Sequence, residues 1–133
     1  MVHIRTYEDV IMKALVIDDS RAMRSILKKI LKELDFESDE AGDGREGLVK
    51  LRAMVKPELI LVDWNMPEMN GYDFVLAVRA DPAYDDVKLV MVTTESEVKQ
   101  VTRALDAGAN EYVMKPFNSD ILKDKLGLVG FGI

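Results

Sequence analysis

Continuous apolar runs alternate along the chain with stretches whose apolar residues recur three and four apart. Ala14-Leu15-Val16-Ile17, Leu59-Ile60-Leu61-Val62 and the Leu-Val-Met-Val within Lys88 to Thr93 are rich in branched side chains, as expected of strands buried on both faces. After Asp19, the spacing of Met23, Ile26, Leu27, Ile30, Leu31 and Leu34 predicts a helix, with Ser20 as its N-cap. Glu37 to Ala41 is a weaker, polar strand suited to a sheet edge. Asp43 can cap a short helix through Leu48 and Leu51 that ends before Pro57. A loop with Pro67, Asn70 and Gly71 leads into a helix to about Arg79, with Phe74, Val75 and Val78 inward. Val98, Val101 and Leu105 mark a further helix, stopped near Gly108 as its C-cap. Glu111 to Met114 reads as a fifth strand, broken by Lys115-Pro116. Asn118 then caps a last helix containing Ile121, Leu122 and Leu126.

Five such βα units predict an α/β fold: a doubly wound, five-stranded parallel sheet with five helices. In the flavodoxin-like order 2-1-3-4-5, the first and third strands are neighbours at the switch point. Their C-terminal ends carry Asp18, Asp19 and Asp63, and the same edge receives Thr93 from strand four and Lys115 from strand five. Unit charges about 4 Å apart repel by roughly 4 kcal/mol at an effective dielectric near 20. A fold retains such a cluster when a cation binds there or when a carboxylate reacts.

Composition narrows the chemistry. The 133 residues suffice for one domain with a real core. There is no cysteine, which excludes disulfides, zinc-thiolate sites and a cysteine nucleophile. A net charge of −6 argues against nucleic acid as a partner. No apolar stretch approaches a membrane span, and Tyr7, Glu8 and Asp9 interrupt any signal-peptide core near the start. No membrane insertion and a cytoplasmic location are therefore expected.

An oxygen-rich cleft of three carboxylates and a backbone carbonyl suits Mg²⁺, which takes few protein ligands and keeps waters for substrate oxygens. Lys115 offers a point charge for a phosphoryl group and Thr93 a hydroxyl donor. Asp63 then has the role of nucleophile, forming an acyl phosphate.

At this point the chain resembles a known family. Asp18-Asp19, the segment Leu61-Val62-Asp63-Trp64-Asn65-Met66-Pro67-Glu68-Met69-Asn70-Gly71, Val92-Thr93-Thr94 and Tyr112-Val113-Met114-Lys115-Pro116-Phe117 are similar to the motifs of the receiver domain of two-component response regulators, above all the single-domain chemotaxis type. The likeness covers about Lys13 to Leu126. It implies a receiver domain over 13–133 preceded by an extension over 1–12. It implies that Asp63 is the phosphoacceptor, that Asp19 binds Mg²⁺ directly and Asp18 partly through water, and that Asn65 adds its backbone carbonyl. Lys115 would meet the phosphoryl group and Asp63, Thr93 and Tyr112 would switch, and the Lys115-Pro116 peptide would be cis. Asn65 and Glu95 would tune self-dephosphorylation. The implied partners are a histidine kinase or phosphotransfer protein as donor and a downstream target protein. A monomer is expected, weakly dimeric at most when phosphorylated. Three departures stand out: Thr94 where the family has a smaller residue, the run Gly127, Gly130 and Gly132 that should shorten the last helix, and the extension itself.

Plainer readings accompany these. Trp64 can simply cover the loop, Tyr112 can be a half-buried strand aromatic, the eight Met residues read as core fillers, and Lys28, Lys29, Lys32 and Glu33 as a solvated helix face. A rival function is a small Mg²⁺-dependent phosphatase with an Asp nucleophile. Such enzymes need a second Asp two residues on, where this chain has Asn65, and they carry a cap domain. A degenerate receiver that only binds is opposed by Asp19, Asp63, Thr93 and Lys115. The preferred reading is a regulator that catalyses only its own phosphorylation and dephosphorylation, not an enzyme acting on others.

Overall fold

A computed structural model describes residues 11–94 and 100–132. Strands β1 (Met12–Ile17), β2 (Phe36–Ala41), β3 (Leu59–Asp63), β4 (Lys88–Thr93) and β5 (Glu111–Met114) form one parallel sheet in the order β2-β1-β3-β4-β5. Between and after them lie helices α1 (Arg21–Glu33), α2 (Gly44–Ala53), α3 (Gly71–Arg79), α4 (Val101–Ala107) and α5 (Ser119–Leu128), with a 3₁₀ turn at Pro82–Tyr84. This is the expected doubly wound α/β fold.

Strand alternation builds a core on each face. Leu15, Ile17, Ile60 and Val62 point to one side, where Leu51 of α2, Phe74, Val75 and Val78 of α3 and Ala104 of α4 cover them. Ala14, Val16, Leu59, Leu61, Val90 and Val92 point to the other, under Leu27, Ile30 and Leu31 of α1 and Leu122 and Leu126 of α5. Every residue of β3 is buried. That strand lies between β1 and β4 with helices above and below, so its continuous apolar run is what its position demands. The polar β2 occupies a sheet edge.

The helix starts follow local chemistry. Ser20, Asp43, Asn70 and Asn118 each accept a backbone N–H from the first turn of α1, α2, α3 and α5. Gly108 ends α4 at φ 122°, a left-handed region suited to glycine.

Some expectations shift. The helical spacing predicts Ile26, Leu105 and Ile121 in apolar stripes, but their side chains are exposed. A helix lying on a sheet buries a narrower stripe than the full apolar periodicity suggests. Gly127 does not stop α5, which runs on to Leu128. The chain turns at Gly130, with φ 108°, and Phe131 packs edge-on against Phe36 at 5.4 Å. Trp64 is 6% exposed and belongs to the core rather than to a loop cover. Val98, Glu95 and the extension before Ile11 lie outside the described residues. Among the described residues no helix is long and apolar enough to cross a membrane.

Candidate functional site

β1 and β3 end side by side, with Ile17 paired to Val62, so the residues that follow them emerge together at the C-terminal edge. Asp18 and Asp63 are buried and Asp19 is exposed. One carboxylate oxygen from each lies within 4.8 Å of the others. β4 delivers the buried Thr93, whose Oγ1 donates to the Thr94 carbonyl at 3.3 Å. Lys115 follows β5, and its backbone N–H donates to the Thr93 carbonyl at 2.7 Å, which draws the end of β5 in beside β4. The Lys115-Pro116 peptide is cis.

The Lys115 ammonium lies 3.4 Å from both Asp18 Oδ2 and Asp63 Oδ1. At that distance it is an ion pair with both rather than a tight hydrogen bond to either. It offsets part of the carboxylate repulsion, and it leaves the exposed Asp19 side of the cluster open to solvent. Asp18 is further fixed on its other oxygen, where the Ser20 N–H donates to Oδ1 at 2.8 Å. Ser20 thus caps α1 through its hydroxyl and holds Asp18 through its backbone.

Arg24 was not singled out by sequence. Its Nη1 donates to the Asp18 carbonyl at 2.7 Å and its Nε to Glu40 at 2.7 Å. Glu40 also accepts from Lys28 Nζ at 2.8 Å. The bonds from Lys28 and Arg24 hold the Glu40 carboxyl below the usual carboxylate range. The only legible signal was an Arg on the first turns of α1, and nothing in the spacing names its acceptors.

Asn65 is exposed, in the loop after β3. Tyr112 is half-buried against the core beneath α3 and α4, and the Lys125 ammonium lies 4.4 Å from its ring centroid. The structure therefore gathers Asp18, Asp19, Asp63 and Lys115 into one cluster, with Thr93 buried at the adjoining strand end and Tyr112 two strands from Asp63 on β5. The donor set is all carboxylate oxygen, which fits a hard divalent cation. A groove of about 740 Å³ lies elsewhere, lined by Lys28, Lys32, Leu34 and Phe36 among others, and contains none of these carboxylates. The candidate site is a charged cluster at the C-terminal edge of the sheet, apart from that groove.

The family model for the response regulator receiver domain matches residues 14–127. A chemotaxis protein, CheY1 of Helicobacter pylori, is 46% identical over 119 residues, covering 89% of this chain and 96% of that protein. A CheY homologue of Campylobacter jejuni is 45% identical over 116 residues, covering 86% of this chain and 89% of its own. The solved structure of the chemotaxis response regulator CheY4 of Vibrio cholerae superposes with a TM-score of 0.83 at 34% identity, covering 90% of this chain and 99% of that one. The phosphatase alternative gains no support from these likenesses, and Asn65 stands where it would need its second Asp.

Proposed function

The chain belongs to the response regulator receiver domain family, and from that premise we propose that it is a phosphorylation switch with Asp63 as phosphoacceptor. The observation that carries this reading is Lys115, whose ammonium stands 3.4 Å from Asp63 Oδ1 within a cluster of three carboxylates. Asp18, Asp19, Asp63 and the Asn65 carbonyl would hold Mg²⁺. When bound, that ion neutralises charge on the carboxylates and on an incoming phosphoryl group.

The rest falls to the chain's own residues. A carboxylate oxygen of Asp63 attacks the phosphorus of a phosphohistidine in line. The P–N bond breaks as the P–O bond forms, and the imidazole leaves with the electron pair. Lys115 faces the charge that collects on the phosphoryl oxygens. Thr93, one strand over from Asp63, donates its hydroxyl to the same group once it leaves the Thr94 carbonyl. Tyr112 responds to the space that Thr93 vacates. Asn65 and Glu95 tune the attack of water that removes the phosphoryl group. The protein so catalyses only its own modification.

The donor is a histidine kinase or phosphotransfer protein, and the output is a target protein that reads the altered surface. Likeness to chemotaxis proteins over nearly their whole length supports a chemotaxis-type output in preference to a relay. The receiver unit spans 13–133, after the segment 1–12. The working form is a cytoplasmic monomer, with at most weak dimerisation on phosphorylation.

Incubation with acetyl phosphate and Mg²⁺, followed by intact mass measurement, should add one phosphoryl group. Asp63→Asn should abolish the addition. Full labelling of that variant overturns the assignment.

A further inference from the structure

Among the described residues, helix α4 starts without the side-chain cap that the other helices have. Ser20, Asp43, Asn70 and Asn118 cap their helices, whereas Gln100 before α4 makes no side-chain capping bond. The far end of α4 is clamped. Arg79 Nε donates to the Gly108 carbonyl at 2.9 Å, and its two amino groups donate to the carbonyls of Tyr84 and Val87 and to Asn110 Oδ1. Burial holds the Arg79 pKa below its ordinary value, but the guanidinium keeps its charge at any working pH.

Towards the start of α4, the exposed Arg103 places its guanidinium 4.6 Å from the centroid of the Tyr72 ring on α3. The Tyr72 ring is 5.9 Å from that of Trp64, tilted by 44°. Trp64 directly follows Asp63. Its backbone N–H donates to the Val92 carbonyl at 3.1 Å, and its carbonyl accepts from the Gly71 N–H at 2.9 Å. The backbone of Trp64 and of Gly71, next to Tyr72, is thus fixed, and the contacts between the two tilted rings and Arg103 are made by side chains alone.

We propose that Tyr72 is a positioning residue that couples the carboxylate cluster to α4. Its ring touches both the Trp64 indole, next to Asp63, and the Arg103 guanidinium. The inference rests on Asp63 being the phosphoacceptor. A change of charge or packing at Asp63 moves the indole. The ring then offers Arg103 a different face, and the start of α4 shifts while the Arg79 clamp keeps Gly108 in place. A cation over a ring is directional but weak, so it can be exchanged between two states. Four hydrogen bonds from one half-buried guanidinium cannot be exchanged so easily.

The test uses the full chain, free and with Mg²⁺ and beryllofluoride, reading the amide shifts of α4 and of 108–110. Acetyl phosphate labelling is measured on the same proteins. Tyr72→Phe keeps the ring and should match wild type. Tyr72→Leu and Arg103→Gln should still be labelled at Asp63, with unchanged responses over 108–110. Their shift changes at Val101 to Ala104 should fall to less than half of those in wild type. Arg103 is exposed, so its variant carries the test even where Tyr72→Leu folds poorly. Labelled variants with a full α4 response overturn the inference. Absence of label in the wild type instead overturns the phosphoacceptor reading beneath it.

Discussion

Lys115 and Asp63, brought in by β5 and β3 with β4 between them, meet at 3.4 Å. The same ammonium is 3.4 Å from Asp18. Without metal it pairs with two buried carboxylates. Lys115→Ala should therefore destabilise the metal-free fold by about 1–3 kcal/mol, since it removes the ammonium that faces both carboxylates. It should also tighten Mg²⁺, because a competing positive charge is gone. Urea melts in EDTA and calorimetric Mg²⁺ titration check both. A tenfold weaker Mg²⁺ would mean that Lys115 chiefly positions the carboxylates.

Gly71 begins α3 so close to β3 that an added Cβ would lie 2.3 Å from the Asp63 carbonyl oxygen and 2.9 Å from Met91 Cε. The methionine can yield, but the backbone of the central strand cannot. Gly71→Ala should cost about 2–3 kcal/mol, at the upper end of overpacking in a core. Because the displaced carbonyl belongs to Asp63, Mg²⁺ affinity should drop with stability. A urea midpoint equal to wild type would show that the α3 start moves freely.

Much of this was visible in the chain. Apolar runs ending in Asp18 and Asp63 placed two strand ends at the switch point, and capping residues at 20, 43 and 118 marked three helix starts, whereas Asn70, legible only as a loop residue, caps a fourth. Inner-face assignments went too wide at Ile26, because the neighbouring Leu27, Ile30 and Leu31 already fill the stripe that α1 turns to the sheet. Trp64 was hidden by its position just past a strand, where polar neighbours suggest a loop although the indole turns back into the core. The Arg79 clamp left no trace in sequence, since most of its acceptors are backbone carbonyls, which every residue has. The pairing of Arg103 with Tyr72 likewise depends on how α3 and α4 lie against each other. The second partner of Lys115, Asp18, required knowing how far a lysine reaches across β3.

Glu40 links the site to acid stability. Its pKa is lowered by Lys28 first and then by Arg24. A depressed carboxyl stabilises the fold above its unfolded value, about 4.3, and that contribution is lost as pH falls through the lower folded value. The Glu40 side chain is 38% exposed, so screening keeps the effect small. Glu40→Gln should cost about 0.5 kcal/mol at pH 7, and the gap from wild type should close towards pH 3. Urea midpoints across that range test the sign. A gap of constant size would assign the cost to packing instead of charge.

Asp19 is the exposed member of the carboxylate cluster. Its charge adds to the repulsion felt by Asp18 and Asp63, but solvent screens part of it. Neutralising it, as in Asp19→Asn, should raise metal-free stability by about 0.5–1 kcal/mol, a small share of the unscreened Coulomb energy. The same change should remove most of the gain from Mg²⁺, which for wild type should reach about 2.7 kcal/mol at a hundredfold excess over Kd. The two effects have opposite signs, so a general loss of packing cannot imitate them. Urea melts of both proteins in EDTA and in saturating Mg²⁺ separate the terms. A variant that is less stable in EDTA yet still gains fully from Mg²⁺ would make Asp19 a structural hydrogen-bond acceptor and move any metal site elsewhere.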